Sequence, residues 1–253
     1  MVNQKNLTKF ELTMETVTPY SSTTESKKKQ VAKMFDNIAF RYDTLNQVLS
    51  AGVHHRWRKT AVKQFIKLKP KNILDIATGT GDFAIASLAA QPEKIVGVDI
   101  SEGMLKYGRE KINKQNLSEK ITLEFGDAEH LNFSDNFFDV ITVSFGVRNF
   151  ENLEKGLSNM LRVLKPGGKV VIIEFSKPRG FFKYIYNFYF RFILPLIGRV
   201  FSKDQAAYSY LPASVNAFPD FENFTAILDK VGFTKSTYIS LTFGVACIYT
   251  SEK

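Results

Sequence analysis

Acidic and glycine residues stand at the ends of apolar runs, at spacings that suit a nucleotide-containing ligand. The run 72–78 leads into a turn containing Gly79 and Gly81, and Asp99 ends the next run twenty residues after Gly79. Glycine permits a tight turn and the close approach of a ligand, and a carboxylate at Asp99 can bind both hydroxyls of a ribose. With Ala84, the turn also satisfies the dinucleotide pattern. An NAD-dependent oxidoreductase is therefore an alternative on these residues alone.

Three further features favour S-adenosylmethionine over NAD. Asp75 stands four residues before Gly79, where it could engage the ammonium group of methionine, whereas a carboxylate is unfavourable beside a pyrophosphate. Asp127, between Gly126 and Ala128, follows the third apolar run and could hold an adenine amino group. The turn 164–168 (LKPGG) before the fifth run is typical of methyltransferases that use this cofactor. The sequence therefore predicts S-adenosylmethionine as the cofactor.

The elements that must position these residues alternate along the chain. Short apolar runs at 72–78, 94–100, 121–128, 137–146 and 169–176 are separated by helical patterns. Such alternation predicts a doubly wound, mostly parallel α/β sheet covered on both faces. The helical patterns lie at 82–91, 102–115, 151–164 and 220–231, and two late strands at 233–240 and 243–250 predict an antiparallel hairpin at a sheet edge.

Composition narrows the function classes. The chain has 253 residues, of which 44% are hydrophobic and 23% charged, so it is globular rather than disordered. Its single cysteine, Cys247, excludes an internal disulfide framework, no zinc-site spacing is present, and we predict no metal site. A net charge of +9 indicates an anionic partner such as nucleic acid, a membrane surface or a phosphate-bearing ligand. Residues 1–25 are polar and predict a mobile tail without a secretory signal.

Two segments carry a more specific resemblance. The core from 70 to 176 is similar to class I S-adenosylmethionine-dependent methyltransferases. Residues 42–57 (YDTLNQVLSAGVHHRW) and 162–176 (RVLKPGGKVVIIEFS) resemble the two signatures of the ubiquinone/menaquinone biosynthesis C-methyltransferase family. Residues 144–150 (SFGVRNF) and 34–43 (MFDNIAFRYD) are similar to that family as well. Leu45, where methionine is commoner, is a conservative departure.

The resemblance extends from about residue 30 to 250 and implies a methyltransferase domain over 26–253. The implied reaction is methylation of a ring carbon of a prenylated quinol, with demethylmenaquinol to menaquinol as the favoured case and a benzoquinol left open. The seven-stranded methyltransferase sheet is the implied fold. The resemblance implies cofactor contacts at Thr78, Asp99, Asp127, Ala128 and Ser144, beside the glycine turn and Asp75.

The chemistry requires an electron-rich ring carbon, because the sulfonium of the cofactor is already a strong electrophile. Ionisation of one quinol hydroxyl supplies that electron density, and a cation beside the oxygen stabilises it. We expect Arg148 to stabilise the phenolate and Asn149 to orient it; the alternative is that Arg148 forms a surface ion pair. The general base is left open among His54, Asp43, a water molecule and bulk solvent.

Two segments outside the sheet are expected to face the substrate. Residues 26–68 predict a helical lid over the cofactor. Residues 178–212 form an aromatic, basic insertion: eight of the twelve residues in 181–192 are Phe or Tyr, and 177–203 carries six Lys or Arg and no Asp or Glu. Lys183, Asn187 and Arg191 recur at helical spacing, which favours an amphipathic helix at a membrane surface. Phe181, Phe182, Tyr184, Phe188 and Phe192 are the side chains expected to enter the headgroup region.

The aromatic, basic segment predicts a cytoplasmic enzyme that is bound peripherally to the cytoplasmic face of the inner membrane. A spanning helix is not expected at 181–201, which contains several charged residues. A lid for the prenyl tail, a homodimer surface and a core-packing insertion are the alternatives for the same aromatic segment.

Other function classes fit less well. A nucleic-acid methyltransferase of exocyclic amines usually has N/D-P-P-Y/F after the fourth strand, where residues 144–147 read SFGV, so no nucleic-acid partner is expected. Other small-molecule acceptors remain open. A non-catalytic scaffold with this fold usually lacks the glycine turn or the acid of the second strand, and both are present here.

Overall fold

The computed structural model describes residues 17–20, 23–189, 192 and 206–253. Most of the predicted tail 1–25 and a large part of the predicted insertion 178–212 therefore lie outside the described residues, Arg191 among them.

Seven strands form one sheet in the order β3-β2-β1-β4-β5-β7-β6. The strands are β1 (Asn72–Ile76), β2 (Lys94–Asp99), β3 (Ile121–Phe125), β4 (Phe138–Ser144), β5 (Leu164–Phe175), β6 (Thr234–Leu241) and β7 (Ala246–Glu252). Strands β1 to β5 pair parallel with one another, and β7 pairs antiparallel with both β5 and β6. The predicted fold class is confirmed.

Helices cover both faces of this sheet. They are α1 (Lys27–Ile38), α2 (Tyr42–Ser50), α3 (Val53–Val62), α4 (Asp82–Ser87), α5 (Glu102–Lys114), α6 (Leu153–Val163), α7 (Phe182–Phe188), α8 (Ala206–Ala217) and α9 (Glu222–Val231). Helices α3, α4 and α5 bury apolar side chains against one face, and α6 and α9 cover the other. Because successive strand residues point to opposite faces, Val140 belongs to the first core and Ile141 to the second.

The observed strand ends differ from the predicted ones for identifiable reasons. Strand β1 stops at Ile76 rather than 78 because Ala77 turns into the left-handed region with φ 51°. Strand β5 starts earlier than predicted, because Leu164 already pairs with Phe138 and the turn that follows is a bulge inside the strand. The final hairpin is present. Of its two strands, β7 lies inside the sheet and only β6 lies at an edge.

Candidate active site

A cavity with several polar groups in its wall lies at the carboxyl ends of the parallel strands, where ligands of such sheets bind. Asp99 ends β2 there, and its two carboxylate oxygens accept hydrogen bonds from the backbone nitrogens of Gly79 (2.8 Å) and Ser101 (2.9 Å). Burial nevertheless raises the pKa of Asp99 to about 6. We call this space the first cavity; its wall also includes Ile76, Ile100, Met104, Gly126, Asp127, Ala128, Glu129, Ser144 and Gly146.

The turns after β1 and β4 pack directly against each other below this cavity. Ala77 and Phe145 have positive φ values of 51° and 59°, a strained conformation for residues with a side chain. Gly146 permits the contact, because a Cβ at that position would come within 2.5 Å of the Cβ of Ala77. The turn at Phe145 places its ring on the wall of the first cavity and of the larger cavity described below.

Helix α1 roofs the first cavity and is attached to it by charged side chains. Lys28 Nζ lies 2.6 Å from the carboxylate of Asp127 and 3.4 Å from that of Glu129. Eight residues further along the helix, Asp36 accepts hydrogen bonds from Ser101 Oγ (2.6 Å) and from the backbone nitrogen of Gly103 (2.8 Å). The roof is therefore bound to the loops after both β2 and β3.

Helix α2 has a similar attachment. Asp43 accepts a hydrogen bond from Thr80 Oγ1 at 2.6 Å and forms an ion pair with Lys111 Nζ. Asp43 lines neither the first cavity nor the larger one, so the structure gives this carboxylate a contact between the lid and the glycine turn.

The second cavity is larger and mainly apolar. It has a volume of about 480 Å³, within the range of sites for small organic ligands. It lies under α1, α2 and α3 and is closed on the other sides by α7, α8 and the ends of β4 and β5. Phe35, Tyr42 and Phe145 line both cavities, so the two spaces adjoin. Other residues of this wall are Met34, Ile38, Leu45, Leu49, Trp57, Phe175, Phe182, Ile185, Tyr186, Tyr189, Leu211 and Phe243.

Arg148 lines the second cavity and is held by a buried ion pair. Its Nη1 lies 2.8 Å from Oε1 of Glu174, whose side chain is 0% exposed, and it also donates to the carbonyl oxygen of Phe145. Burial raises the pKa of Glu174, and the charge of Arg148 opposes that shift. Nε of Arg148 is buried and has no hydrogen-bond acceptor among the described residues. The alternative of a surface ion pair does not describe this buried side chain.

Asn149 is held by two hydrogen bonds, one of them to the same carbonyl oxygen that Arg148 contacts. Its Nδ2 donates to the carbonyl oxygen of Phe145 (3.3 Å), and its Oδ1 accepts a hydrogen bond from the hydroxyl of Tyr210 (3.0 Å). The residue lines the first cavity and not the second. Arg148 and Asn149 therefore share the carbonyl oxygen of Phe145 but line different cavities, and Asn149 also ties the turn after β4 to helix α8.

The structure brings five of the residues predicted to bind the cofactor to one wall. Gly79, Asp99, Asp127, Ala128 and Ser144 line the first cavity.

Asp75, Thr78 and Gly81 lie behind that wall. Asp75 is 1% exposed, and its two oxygens accept hydrogen bonds from Thr78 Oγ1 and Thr142 Oγ1, each at 2.6 Å. Burial raises the pKa of Asp75 to about 6. In this geometry Asp75 supports the glycine turn rather than facing the cavity.

Two residues beside the cavities, Lys28 and Glu174, are not among those predicted from the sequence. Lys28 stands in a run of three lysines, a pattern typical of a solvated surface. Glu174 lies in the signature 162–176, but an acidic residue inside an apolar strand does not indicate which residue it will pair with.

Comparison with known proteins identifies the family of this chain. A family model described as the ubiE/COQ5 methyltransferase family matches residues 23–253. The demethylmenaquinone methyltransferase of Bacteroides fragilis is 48% identical over 94% of this chain and 98% of its own length. The ubiquinone/menaquinone biosynthesis C-methyltransferase UbiE of Geobacter sulfurreducens is 48% identical over 90% of each chain.

The chain belongs to the ubiE/COQ5 methyltransferase family. This membership confirms the predicted methyltransferase, its family and S-adenosylmethionine as the methyl donor. The solved structure of an S-adenosylmethionine-dependent methyltransferase from Aquifex aeolicus matches 75% of this chain and 88% of its own, with 17% identity and a TM-score of 0.54. At that identity the match shows the fold of this methyltransferase and nothing more. Within the described ranges, no three His, Cys, Asp or Glu side chains group as metal ligands would.

Proposed function

We propose that this methyltransferase transfers a methyl group from S-adenosylmethionine to a ring carbon of a prenylated quinol, converting demethylmenaquinol to menaquinol in respiratory quinone biosynthesis. The observation that carries the proposal is the pair of adjoining cavities that share Phe35, Tyr42 and Phe145: the smaller contains the carboxylates of Asp99 and Asp127, and the larger is mainly apolar. The names of the relatives from Bacteroides fragilis and Geobacter sulfurreducens, which are methyltransferases of quinone biosynthesis, support the quinol as the acceptor.

The first cavity suits the donor. Asp99 would accept hydrogen bonds from the ribose hydroxyls, and Asp127 with Ala128 would hold the adenine, as the resemblance to the family implies. Gly79 and Ser144 complete this wall, and Asp75 and Thr78 hold the turn from behind. The sulfonium would then face the shared ring of Phe145.

The second cavity suits the acceptor. Loss of one hydroxyl proton gives a phenolate, and the adjacent ring carbon attacks the methyl group. The new carbon–carbon bond forms as the sulfur–methyl bond breaks, and S-adenosylhomocysteine leaves. Loss of the ring proton restores the aromatic quinol. Arg148 would stabilise the phenolate, since its buried Nε has no acceptor in the part of the chain that the structure describes. Asn149 would act on that oxygen only through the turn that also carries Arg148.

Helix α7 suits the prenyl tail and the membrane. Phe182 and Ile185 line the second cavity, whereas Phe181, Tyr184 and Phe188 are exposed on the same helix. An apolar tail that leaves the cavity beside α7 would therefore meet an exposed aromatic surface. No helix within the described ranges combines the length and apolarity that crossing a bilayer requires. We propose peripheral attachment at the cytoplasmic face of the inner membrane through this surface.

The reaction is tested with radiolabelled S-adenosylmethionine and short-chain demethylmenaquinone or its benzoquinone counterpart, each offered reduced and oxidised. Label on a ring carbon of the reduced substrate alone is the expected result, and the preferred ring identifies the quinol. Arg148→Met should abolish transfer, whereas Arg109→Met, which removes an exposed ion pair with Glu102, should not. Cofactor binding without label on any quinol would overturn the proposal.

Membrane attachment is tested by flotation with vesicles of phosphatidylcholine and phosphatidylglycerol. The triple variant Phe181→Ser, Tyr184→Ser, Phe188→Ser should lower the bound fraction at least about tenfold, because each aromatic ring contributes over 1 kcal/mol when it leaves water. The control variant Phe125→Ser, Phe137→Ser removes exposed rings elsewhere and should bind normally. Unchanged flotation of the triple variant would contradict the membrane role, and a changed sedimentation coefficient without lipid would indicate a homodimer surface.

A further inference from the structure

One corner of the second cavity is polar, although its wall is mainly apolar. Helix α3 contributes His54 and Arg58 to this wall, and the two side chains are one helical turn apart. Their exposed fractions are only 4% and 5%. Buried polar groups are normally satisfied by hydrogen bonds, so their partners indicate what the corner can bind.

Hydrogen-bond accounting fixes the tautomer of His54. Ser50 Oγ lies 2.6 Å from the carbonyl oxygen of Asn46, which can only accept, so the single hydroxyl proton of Ser50 is donated there. Ser50 Oγ also lies 2.5 Å from His54 Nδ1, and it must accept that hydrogen bond. The neutral imidazole therefore carries its proton on Nδ1. Nε2 has a free lone pair, and no described residue donates to it.

The charge state is fixed as well. Burial, with the nearby charges of Arg58 and His55, lowers the pKa of His54 to about 4. The imidazole is therefore neutral near pH 7, and its Nε2 is an acceptor only. Next to it, Nη1 of Arg58 lies 3.1 Å from a carboxylate oxygen of Asp82 without forming a hydrogen bond, and Nε of Arg58 is buried with no hydrogen-bond acceptor among the described residues. The corner thus offers one acceptor and guanidinium donors.

We propose that His54 and Arg58 bind the second hydroxyl of the quinol ring, and that His54 Nε2 makes this contact selective for the reduced substrate. A quinol hydroxyl can donate to Nε2 and accept from Arg58 at the same time. A quinone carbonyl can accept from Arg58 but has no hydrogen for Nε2, which leaves a buried acceptor unsatisfied. The inference rests on the proposed quinol methylation.

The arrangement around Tyr42 is consistent with a ring held from two sides. Burial raises the pKa of Tyr42, and the charges of both Arg148 and Arg58 act against that shift. Both guanidinium groups therefore lie near the residue at which the two cavities meet. A para-quinol has two oxygens on opposite sides of its ring, so Arg148 would take the oxygen beside the reacting carbon and the His54 corner the other.

The test compares His54→Phe, which keeps an aromatic ring without the acceptor, with His54→Gln, which restores an oxygen acceptor. His55→Phe is the matched control, because this neighbouring histidine is exposed, hydrogen-bonds Gln47 and does not line the second cavity, and phenylalanine keeps the ring that packs on His54 at a centroid distance of 4.0 Å. For each variant, the KM of a short-chain demethylmenaquinol and the inhibition constant of its oxidised form are measured. The affinity for S-adenosylmethionine, measured by calorimetry, shows that each variant is folded.

We expect His54→Phe to raise the KM for the quinol about tenfold, as loss of one buried hydrogen bond predicts, and to leave the inhibition constant of the quinone unchanged or lower, because the variant has no acceptor to leave unsatisfied. His54→Gln should recover part of that loss, and His55→Phe should match the wild type. The mono-O-methyl ether that blocks the second hydroxyl should be a poor substrate of the wild type, with a much smaller penalty in His54→Phe.

Two results would overturn the inference. A ratio of quinone to quinol affinity that stays within twofold in His54→Phe would remove His54 from recognition. Equal use of both mono-O-methyl ethers by the wild type would show that no group reads the second hydroxyl. Failure of the proposed function is distinguishable from either, since the wild type would then methylate no quinol at all.

Discussion

Replacement of Arg148 by methionine is expected to destabilise the protein, because it leaves the carboxylate of Glu174 buried without a counter-ion. Removing one partner of a buried ion pair costs about 3–5 kcal/mol. Glu174 is 0% exposed, but it also accepts hydrogen bonds from the backbone nitrogens of Phe175 (2.8 Å) and of residue 148 (3.3 Å). Because these backbone donors remain, we expect a loss near the lower limit, about 3 kcal/mol.

Urea denaturation at pH 7.5 measures this loss. With a denaturant slope of about 2–3 kcal/mol/M, the midpoint of Arg148→Met should fall by about 1–1.5 M relative to the wild type. The difference should shrink as the pH falls. Without the arginine, the folded-state pKa of Glu174 rises further above its ordinary value of 4.5, so the folded protein takes up a proton before the unfolded chain does. The penalty is thus fully present above that raised pKa and is lost towards pH 4.5.

The double variant Arg148→Met, Glu174→Gln separates the structural role of the arginine from its role in the reaction. It removes both charges, so most of the lost stability should return, while methyl transfer should stay abolished. A loss below about 1 kcal/mol in the single variant would refute the argument from the buried pair. Methyl transfer by the stable double variant within tenfold of the wild type would show that Arg148 does not act on the quinol.

Three further outcomes are expected. Calorimetry should show weaker S-adenosylmethionine binding as the pH falls through about 6, because a protonated Asp99 no longer accepts two hydrogen bonds; a pH-independent affinity, or wild-type affinity in Asp99→Asn, would contradict this. Urea denaturation should show a loss of about 3–5 kcal/mol for Phe224→Ala, which is 0% exposed, and less than about 0.5 kcal/mol for Phe125→Ala, which is 61% exposed; equal losses would be inconsistent with this core. Quinone binding should quench the fluorescence of Trp57, the only tryptophan, whose ring lies 6.0 Å from that of Phe145; no quenching would argue against the second cavity.

The sheet could be predicted from sequence because its strands are buried on both faces. Runs such as 94–99 and 138–144 are rich in β-branched residues and are separated by helical patterns, which leaves few alternatives. The predicted ends of the strands are less accurate than their predicted positions. The positive φ of Ala77 depends on packing against Gly146, which lies far away in the sequence.

The candidate site was predictable only where a residue's position on a strand decides its location. Asp99 and Ser144 end strands at the carboxyl edge, and both line the first cavity. Asp75 was expected there too, but its neighbours Thr78 and Thr142 supply hydroxyl donors that keep the carboxylate in the interior. Contacts between distant segments, such as that of Asn149 with α8, have no local pattern in the sequence.

Helix α1 contributes to the walls of both cavities, through Val31 to the first, Met34 to the second and Phe35 to both. A displacement of α1 that admits one ligand therefore also changes the site of the other. A ligand that fixes α1 in place should therefore lower the cost of ordering it for the other ligand, which we expect to bind more tightly. Linkage makes the effect reciprocal, so donor and acceptor should each raise the affinity for the other by the same factor. A helix that lines both cavities in this way favours the ternary complex of enzyme, donor and acceptor over either binary complex.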